Sequence, residues 1–566
     1  MPGSLVGDFI SDPRRPGNNF VQGFEIVLGL VVVATFVAAL AEKLRAPAPS
    51  LLALAGLAVG TIPGVPDVHL SPQLVALGVL PPLLYAAATD VAVSELIPVL
   101  RSVSVLAVGL VAASAVAVCV VAHTVFPQVS LTTGLVLGAV LASTDPIAVG
   151  ALARRLDLPP RLLALVQGES LLNDATSLVL FRVAVGLAAA GSGASVLGTT
   201  SVFLRLGAGG ALVGLAAAVL NRSLRRRVHD PVVETVMALV VPYAVYVAAE
   251  SLGTSGVTAV VVAGLQLGQR AEDLDVSSAR TRLQISTVYS VTQFLLESTI
   301  FAVIGLQLPT LIRRLSGADR HFVLGSLAII AVVISVRALW IYPTAFIPPL
   351  VRRLRRREPT LASPEPNWPR WQVPTVICWV GTRGVVPLTA ALSIPLTIRS
   401  GDAFPHRDLL LVLTSSCILI TLVVQGLTLA PLVRRLGVVD DPATRRREQA
   451  QARLTSVHAA IARLDELLDL EAVPEVVTSQ LRIELHQRLA RAKAALDATR
   501  TDQPTVDGRR LASRLDPDLT YRAVRRDLLA AEAAALFSLR DEGLITESVR
   551  RQVQRALDMQ EIELEE

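Results

Sequence analysis

The stretch Gly168-Glu169-Ser170-Leu171-Leu172-Asn173-Asp174 gathers two carboxylates, an amide and a hydroxyl within seven residues. It lies in an apolar run from near Leu162 to near Ala190, long enough to read as a membrane-spanning helix, since roughly 20 apolar residues cross the hydrocarbon core. Ionisable groups at that depth are costly and face a cavity or a partner, so they mark a functional site by default. On a helix, Ser170 and Asp174 stand at i,i+4 on one face, and Glu169 and Asn173 share the face beside it. A hydroxyl, an amide and a carboxylate together make an oxygen-rich patch suited to a small hard cation. The competing reading is a carboxylate buried for packing and neutralised by an arginine, and it applies more to Glu169 than to Asp174.

The elements that position this patch are membrane helices. Of 566 residues, 52% are hydrophobic, and the mean hydropathy is +0.56. The apolar residues come in long blocks, which excludes an ordinary soluble protein. The net charge of +5 comes mostly from arginines in loops; it reports topology and gives no reason to expect nucleic acid. Cys119, Cys378 and Cys417 fall inside apolar blocks and offer neither a disulfide framework nor a metal spacing. Ala39-Leu40-Ala41 mimics a signal cleavage site. The long preceding region mixes Asp8, Asp12 and Glu25 with Arg14 and Arg15, so the first block reads as a retained helix.

The fold expected is an all-α polytopic membrane protein with about thirteen spans. They cover 24–42, 50–65, 72–91, 102–126, 131–153, 162–190, 201–221, 232–250, 256–268, 286–309, 321–347, 374–398 and 408–433, the second and ninth being short. Loops after odd-numbered spans hold most of the basic residues, among them Lys43, Arg45, Arg154, Arg155, Arg225, Arg226, Arg227, Arg352, Arg353 and Arg355. The opposite loops hold Arg14, Arg15, Arg313, Arg314, Arg320, Arg399 and Arg407. The positive-inside rule then puts the N-terminus outside and the C-terminus in the cytoplasm.

Spans 1–6 and 8–13 line up around span 7 as two inverted repeats. Span 5 is interrupted at Ser143-Thr144-Asp145-Pro146, and span 12 at Gly381-Thr382-Arg383-Gly384. Paired breaks at corresponding points indicate the midplane site of a transporter. The division expected is an extracytoplasmic segment over 1–22, a transmembrane domain over 23–435 and a cytoplasmic helical tail over 436–566. In the tail, Leu454, Val457, Ile461, Leu464 and Leu468 form a coiled-coil-like seam. Val477, Leu481, Leu485 and Leu489 mark a second helix, and Asp516-Pro517 reads as the start of a third. The tail carries no cofactor motif, so packing against itself or another subunit is its default role; what it binds is open.

These residues resemble the sodium/proton antiporters of the cation:proton antiporter superfamily, in its NhaP/NHE-type branch. The resemblance rests on Ser143-Thr144-Asp145-Pro146, Gly168 to Asp174, Phe294-Leu295-Leu296-Glu297-Ser298-Thr299, Arg337 and Gly381-Thr382-Arg383-Gly384, and covers about residues 24–435. It implies that Asp174 carries the proton or the cation, that Ser170 supplies a hydroxyl ligand and that Thr144 coordinates at the break. Asn173 and Asp145 would shape the site. Glu169 would pair with Arg337, and Arg383 would offset the helix-end charges and meet Glu297 or Asp90. It further implies a homodimer in the lipid of the cell membrane, with no cofactor beyond the transported cation and H+.

Physical chemistry reaches the exchange independently. Desolvation disfavours a carboxylate's charged form and a nearby cation favours it, so proton and cation compete for one group. Position 173 is Asn where a second carboxylate could stand, so one group titrates per cycle and exchange is electroneutral, one for one. K+/H+ exchange and a cation-sensing homologue that does not transport are the alternatives. A channel would need a continuous polar pore, and an intramembrane hydrolase a nucleophile with a base or a His-Glu-x-x-His motif. Neither pattern is present, and only His123 falls inside an expected span, His321 standing at the first position of another, so the chain is not read as an enzyme.

Overall fold

The computed structural model describes residues 48–62, 71–91, 93–97, 100–144, 158–190, 196–228, 230–270, 279–315, 321–354, 371–398, 401–438, 442–469, 475–501 and 519–565, with scattered positions between 32 and 43. Among these residues the architecture is helical. In chain order the helices that matter are α1 (Ala48–Gly60), α2 (Pro72–Asp90), α3 (Val111–Val125), α4 (Leu131–Ala142), α5 (Pro160–Ala190), α6 (Val196–Arg225) and α7 (Pro231–Ser251). They are followed by α8 (Gly256–Arg270), α9 (Ala279–Arg314), α10 (Phe322–Leu354), α11 (Gln372–Trp379), α12 (Val385–Leu392) and α13 (Arg407–Leu436). A short helix, Leu100–Ser104, and a π-helical stretch, Val105–Leu110, lead into α3.

Helices thus stand at the places expected for spans 2 to 13; span 1 lies largely outside the described residues. Seven described helices are long and apolar enough to cross a membrane, and four apolar ones are shorter. α9 runs well past both ends of the expected 286–309: its polar ends stay helical, and the helix continues through Pro309 to Arg314.

The transmembrane helices pack in two groups. α3, α4, α5, α10, α11, α12 and α13 surround the two breaks, while α1, α2, α6, α7, α8 and α9 pack mainly on one another. The groups meet where α12 lies on α2, α13 on α1 and α9, and α5 on α6 and α8. A single apolar core runs through both, including Leu84, Leu137, Leu171, Ile300 and Leu388.

Both expected breaks have a local cause. α4 ends at Ala142, and Ser143 turns to extended backbone with ψ 145°. Pro146, four residues beyond Ala142, has no N–H to give the Ala142 carbonyl, which favours a break there. The remainder of span 5, including Asp145, lies outside the described residues. Between α11 and α12 the chain is non-helical over Gly381–Gly384, and Gly384 takes φ −133° and ψ −139°. Pro387 likewise cannot donate to the carbonyl of Arg383.

Among the described residues the tail forms four helices, α14 (Pro442–Asp469), α15 (Glu475–Thr501), α16 (Leu519–Asp541) and α17 (Glu547–Glu565). The seam residue Leu464 packs within this chain, against Leu481, Leu485 and Leu528. A second cluster joins Leu529, Leu536, Val549, Val553 and Leu557. Asp516-Pro517 lies outside the described residues. Glu532 is buried and held by both Arg488 Nη atoms at 2.7 and 2.5 Å. α17 packs on α9, and Arg551 Nη1 donates to the carbonyl of Asp90 at 3.2 Å, closing the end of α2.

Candidate functional site

The break after α4 and the middle of α5 face each other. Ser143 Oγ donates to Asp174 Oδ1, and Ser170 Oγ donates to the carbonyl of Thr144. Asn173 Nδ2 donates to Thr144 Oγ1 at 3.3 Å. Asp174, Ser170, Asn173 and Thr144 are each no more than 5% exposed. The i,i+4 spacing on α5 aims Ser170 and Asp174 at the same broken backbone, which is why two distant stretches close on one point. Among the described residues, Asn173 Oδ1 is buried and has no hydrogen-bond partner. A buried oxygen left in that state is costly and marks a place where a ligand or water is accepted.

Two buried arginines serve the ends of the half-helices. Arg337 Nη1 and Nη2 donate to Glu169 Oε1 and Oε2 at 2.6 and 3.0 Å, a two-pronged ion pair between α10 and α5. Arg337 also donates to the carbonyl of Ile377 through Nε at 3.2 Å and Nη2 at 3.0 Å. Arg383 Nε donates to the carbonyl of Leu141 at 3.2 Å, and its Nη1 donates to that of Gly381. The last carbonyls of a helix lack intrahelical partners and carry partial negative charge. Arg337 therefore caps α11 and Arg383 caps α4, each across to the neighbouring segment.

The expected meeting of Arg383 with Glu297 or Asp90 is not made. Its guanidinium is fully buried and spends its bonds on the freed carbonyls of the two breaks. Asp90 is exposed at the far end of α2, and Glu297 is half-buried on α9. Ser143 had no role in the sequence reading, yet it is the hydroxyl that reaches Asp174. The available signal was a hydroxyl residue at the first position of the break, three residues before Pro146.

The donor set among the described residues is one carboxylate, hydroxyls, an amide oxygen and a main-chain carbonyl. Among the described residues no group of three His, Cys, Asp or Glu side chains converges. Hard oxygens with a single formal charge fit a monovalent cation as substrate better than a divalent one, which collects several carboxylates.

Gly381 is required by this geometry. A Cβ there would lie 2.7 Å from both Cδ and Nε of Arg337. Gly381→Ala should force the Arg337 stem aside and strain its pair with Glu169. Overpacking of this kind costs about 1–3 kcal/mol, so lower thermal stability of the purified variant is expected, and an unchanged melting temperature would contradict it.

The transmembrane sodium/hydrogen exchanger family model matches residues 31–435. An uncharacterized Na(+)/H(+) exchanger of Mycobacterium tuberculosis is 35% identical over 95% of this chain and 97% of its own length. The Na(+)/H(+) antiporter ApNhaP of Aphanothece halophytica is 32% identical over 80% of this chain and 81% of its own. The solved structure of the sodium proton antiporter MjNhaP1 from Methanocaldococcus jannaschii superposes with a TM-score of 0.57 at 20% identity, over 74% of this chain and 99% of that one. That likeness is one of fold. A multi-pass chain with a buried carboxylate facing the end of α4, matched by an exchanger model over most of its length, belongs to the sodium/hydrogen exchanger family, whose members are antiporters and not enzymes.

Proposed function

We propose that the chain exchanges a monovalent cation, Na+ in the first place, for H+ across the cell membrane, one for one, by alternating access. The observation that carries this is Asp174 buried among Ser143, Ser170, Asn173 and Thr144, while Glu169 is committed to Arg337. Asp174 holds either a proton or the cation. Ser170 and Thr144 supply neutral oxygens, Asn173 Oδ1 accepts, and Asp145 contributes from the break. The fixed charges of Glu169, Arg337 and Arg383 stay out of the cycle. A homodimer in the membrane is part of the same reading and rests on the family.

The test is a cation jump applied to proteoliposomes while internal pH is followed, comparing Na+, K+ and Li+. Na+ should move protons at the lowest concentration. A response to K+ alone would assign a K+/H+ exchanger, and no response to any of the three would remove the transport reading.

The reading also places the N-terminus outside and the tail in the cytoplasm. The docking of α17 at the end of α2 supports a common side for the tail and Asp90. Single cysteines in the 352–370 loop and beside Arg314 should label from opposite faces of the membrane. Labelling of both from one face would contradict the arrangement.

A further inference from the structure

The exchange reading requires the helix that carries Asp174 to change its relation to the surrounding helices, and one contact is built at that boundary. Arg182 lies eight residues beyond Asp174 on α5, about 12 Å along the axis at 1.5 Å per residue. Its Nη2 makes an ion pair with Glu250 Oε1, and its Nη1 donates to the carbonyl of Thr254 at 3.3 Å. Glu250 sits in the last turn of α7, and Thr254 in the loop from α7 to α8. The contact therefore joins a helix of the site-bearing group to a turn of the other group. α5 packs chiefly on α4, whereas α7 packs on α8 and α9.

The turn is shaped to receive it. Gly256 N donates to the same Glu250 Oε1 at 3.0 Å. A Cβ on Gly256 would lie 2.7 Å from that oxygen and 2.8 Å from the Tyr246 ring, so only glycine lets the carboxylate fold back onto the backbone. Glu250 is thereby held in place, and Arg182 is the arm that reaches it.

Exposure separates this pair from the other transmembrane ion pair described above. The Arg182 and Glu250 side chains are 28% and 32% exposed, against 4% and 1% for Arg337 and Glu169. A buried pair leaves two desolvated charges when it opens and so stays closed. A half-exposed pair regains water on opening, and its net strength is small. The first is suited to hold a site together and the second to break and re-form.

We propose that Arg182 and Glu250 are positioning residues for the transport cycle, a latch between the Asp174 helix and the α7–α8 turn that is closed in this conformation and opens once per turnover. This rests on the exchange reading. The latch fixes one of the two arrangements of α5; it touches neither the cation nor the proton.

The experiment joins the two positions covalently. R182C/E250C is made in a background carrying C119A, C378A and C417A, reconstituted, and treated with bis-methanethiosulfonate reagents of graded span. Exchange should run with free thiols, stop when they are bridged, and return on reduction. Exchange that continues at the free-thiol rate after bridging would overturn the latch, as would failure of every span to bridge the pair. If the free-thiol form is folded but inactive, R182E/E250R decides: recovery of exchange supports the pair, and no recovery overturns it. The cysteine-free parent separates the two claims, because absence of cation-driven proton movement there contradicts the exchange reading and leaves the bridging result to judge the contact alone.

Discussion

Asp174→Asn should abolish cation–proton exchange, to the level of protein-free liposomes, and leave the protein folded. The amide is isosteric, and its oxygen can still accept from Ser143 Oγ, so the α4–α5 contact survives the substitution. What it loses is the only property the exchange needs from it, alternation between a proton and a cation on one oxygen pair. An amide neither titrates nor neutralises a cation. The check pairs a transport assay with thermal unfolding of the purified variant. Residual exchange in a well-folded variant would move the titrating group elsewhere, to Asp145 first.

The second large effect falls on stability. Glu169→Gln leaves the Arg337 guanidinium buried without its counter-charge, and breaking one side of a buried pair costs roughly 3–5 kcal/mol. Arg337→Ala should be at least as harmful, because it also strips the Ile377 carbonyl of both its guanidinium donors. Yield and melting temperature should fall for each, and the double variant should recover the charge part but not the carbonyl part. A stable Glu169→Gln protein with abolished transport would instead put Glu169 in the cation site.

What the sequence made legible follows from which partners are side chains. Ser170, Asn173 and Asp174 could be placed on neighbouring faces because helical spacing alone decides it, and the structure brings all three to Thr144 or Ser143. The breaks were legible because proline and glycine act locally on backbone hydrogen bonding. For Arg383 the individual partners escaped for the opposite reason. Its hydrogen bonds go to the main-chain carbonyls of Leu141 and Gly381, which every residue type carries and no pattern reveals. Ser143 escaped because its role depends on how two helices cross, not on its own neighbours. The fourth tail helix was missed although Val549, Val553 and Leu557 are spaced at i,i+4. Its start was signalled as well: Gly543 takes φ 72° just past α16, and Thr546 precedes the acidic first-turn residue Glu547, which Arg550 holds at 2.7 and 2.9 Å.

The central claim is that one carboxylate alternates between one proton and one cation. The most direct test is exchange by the reconstituted protein under an imposed membrane potential, with proton movement and current recorded after a Na+ jump. One charge each way gives a rate indifferent to voltage and no current above that of protein-free liposomes. A rate that climbs steeply with voltage, or a current on the jump, would contradict it by showing that a second group titrates beside Asp174.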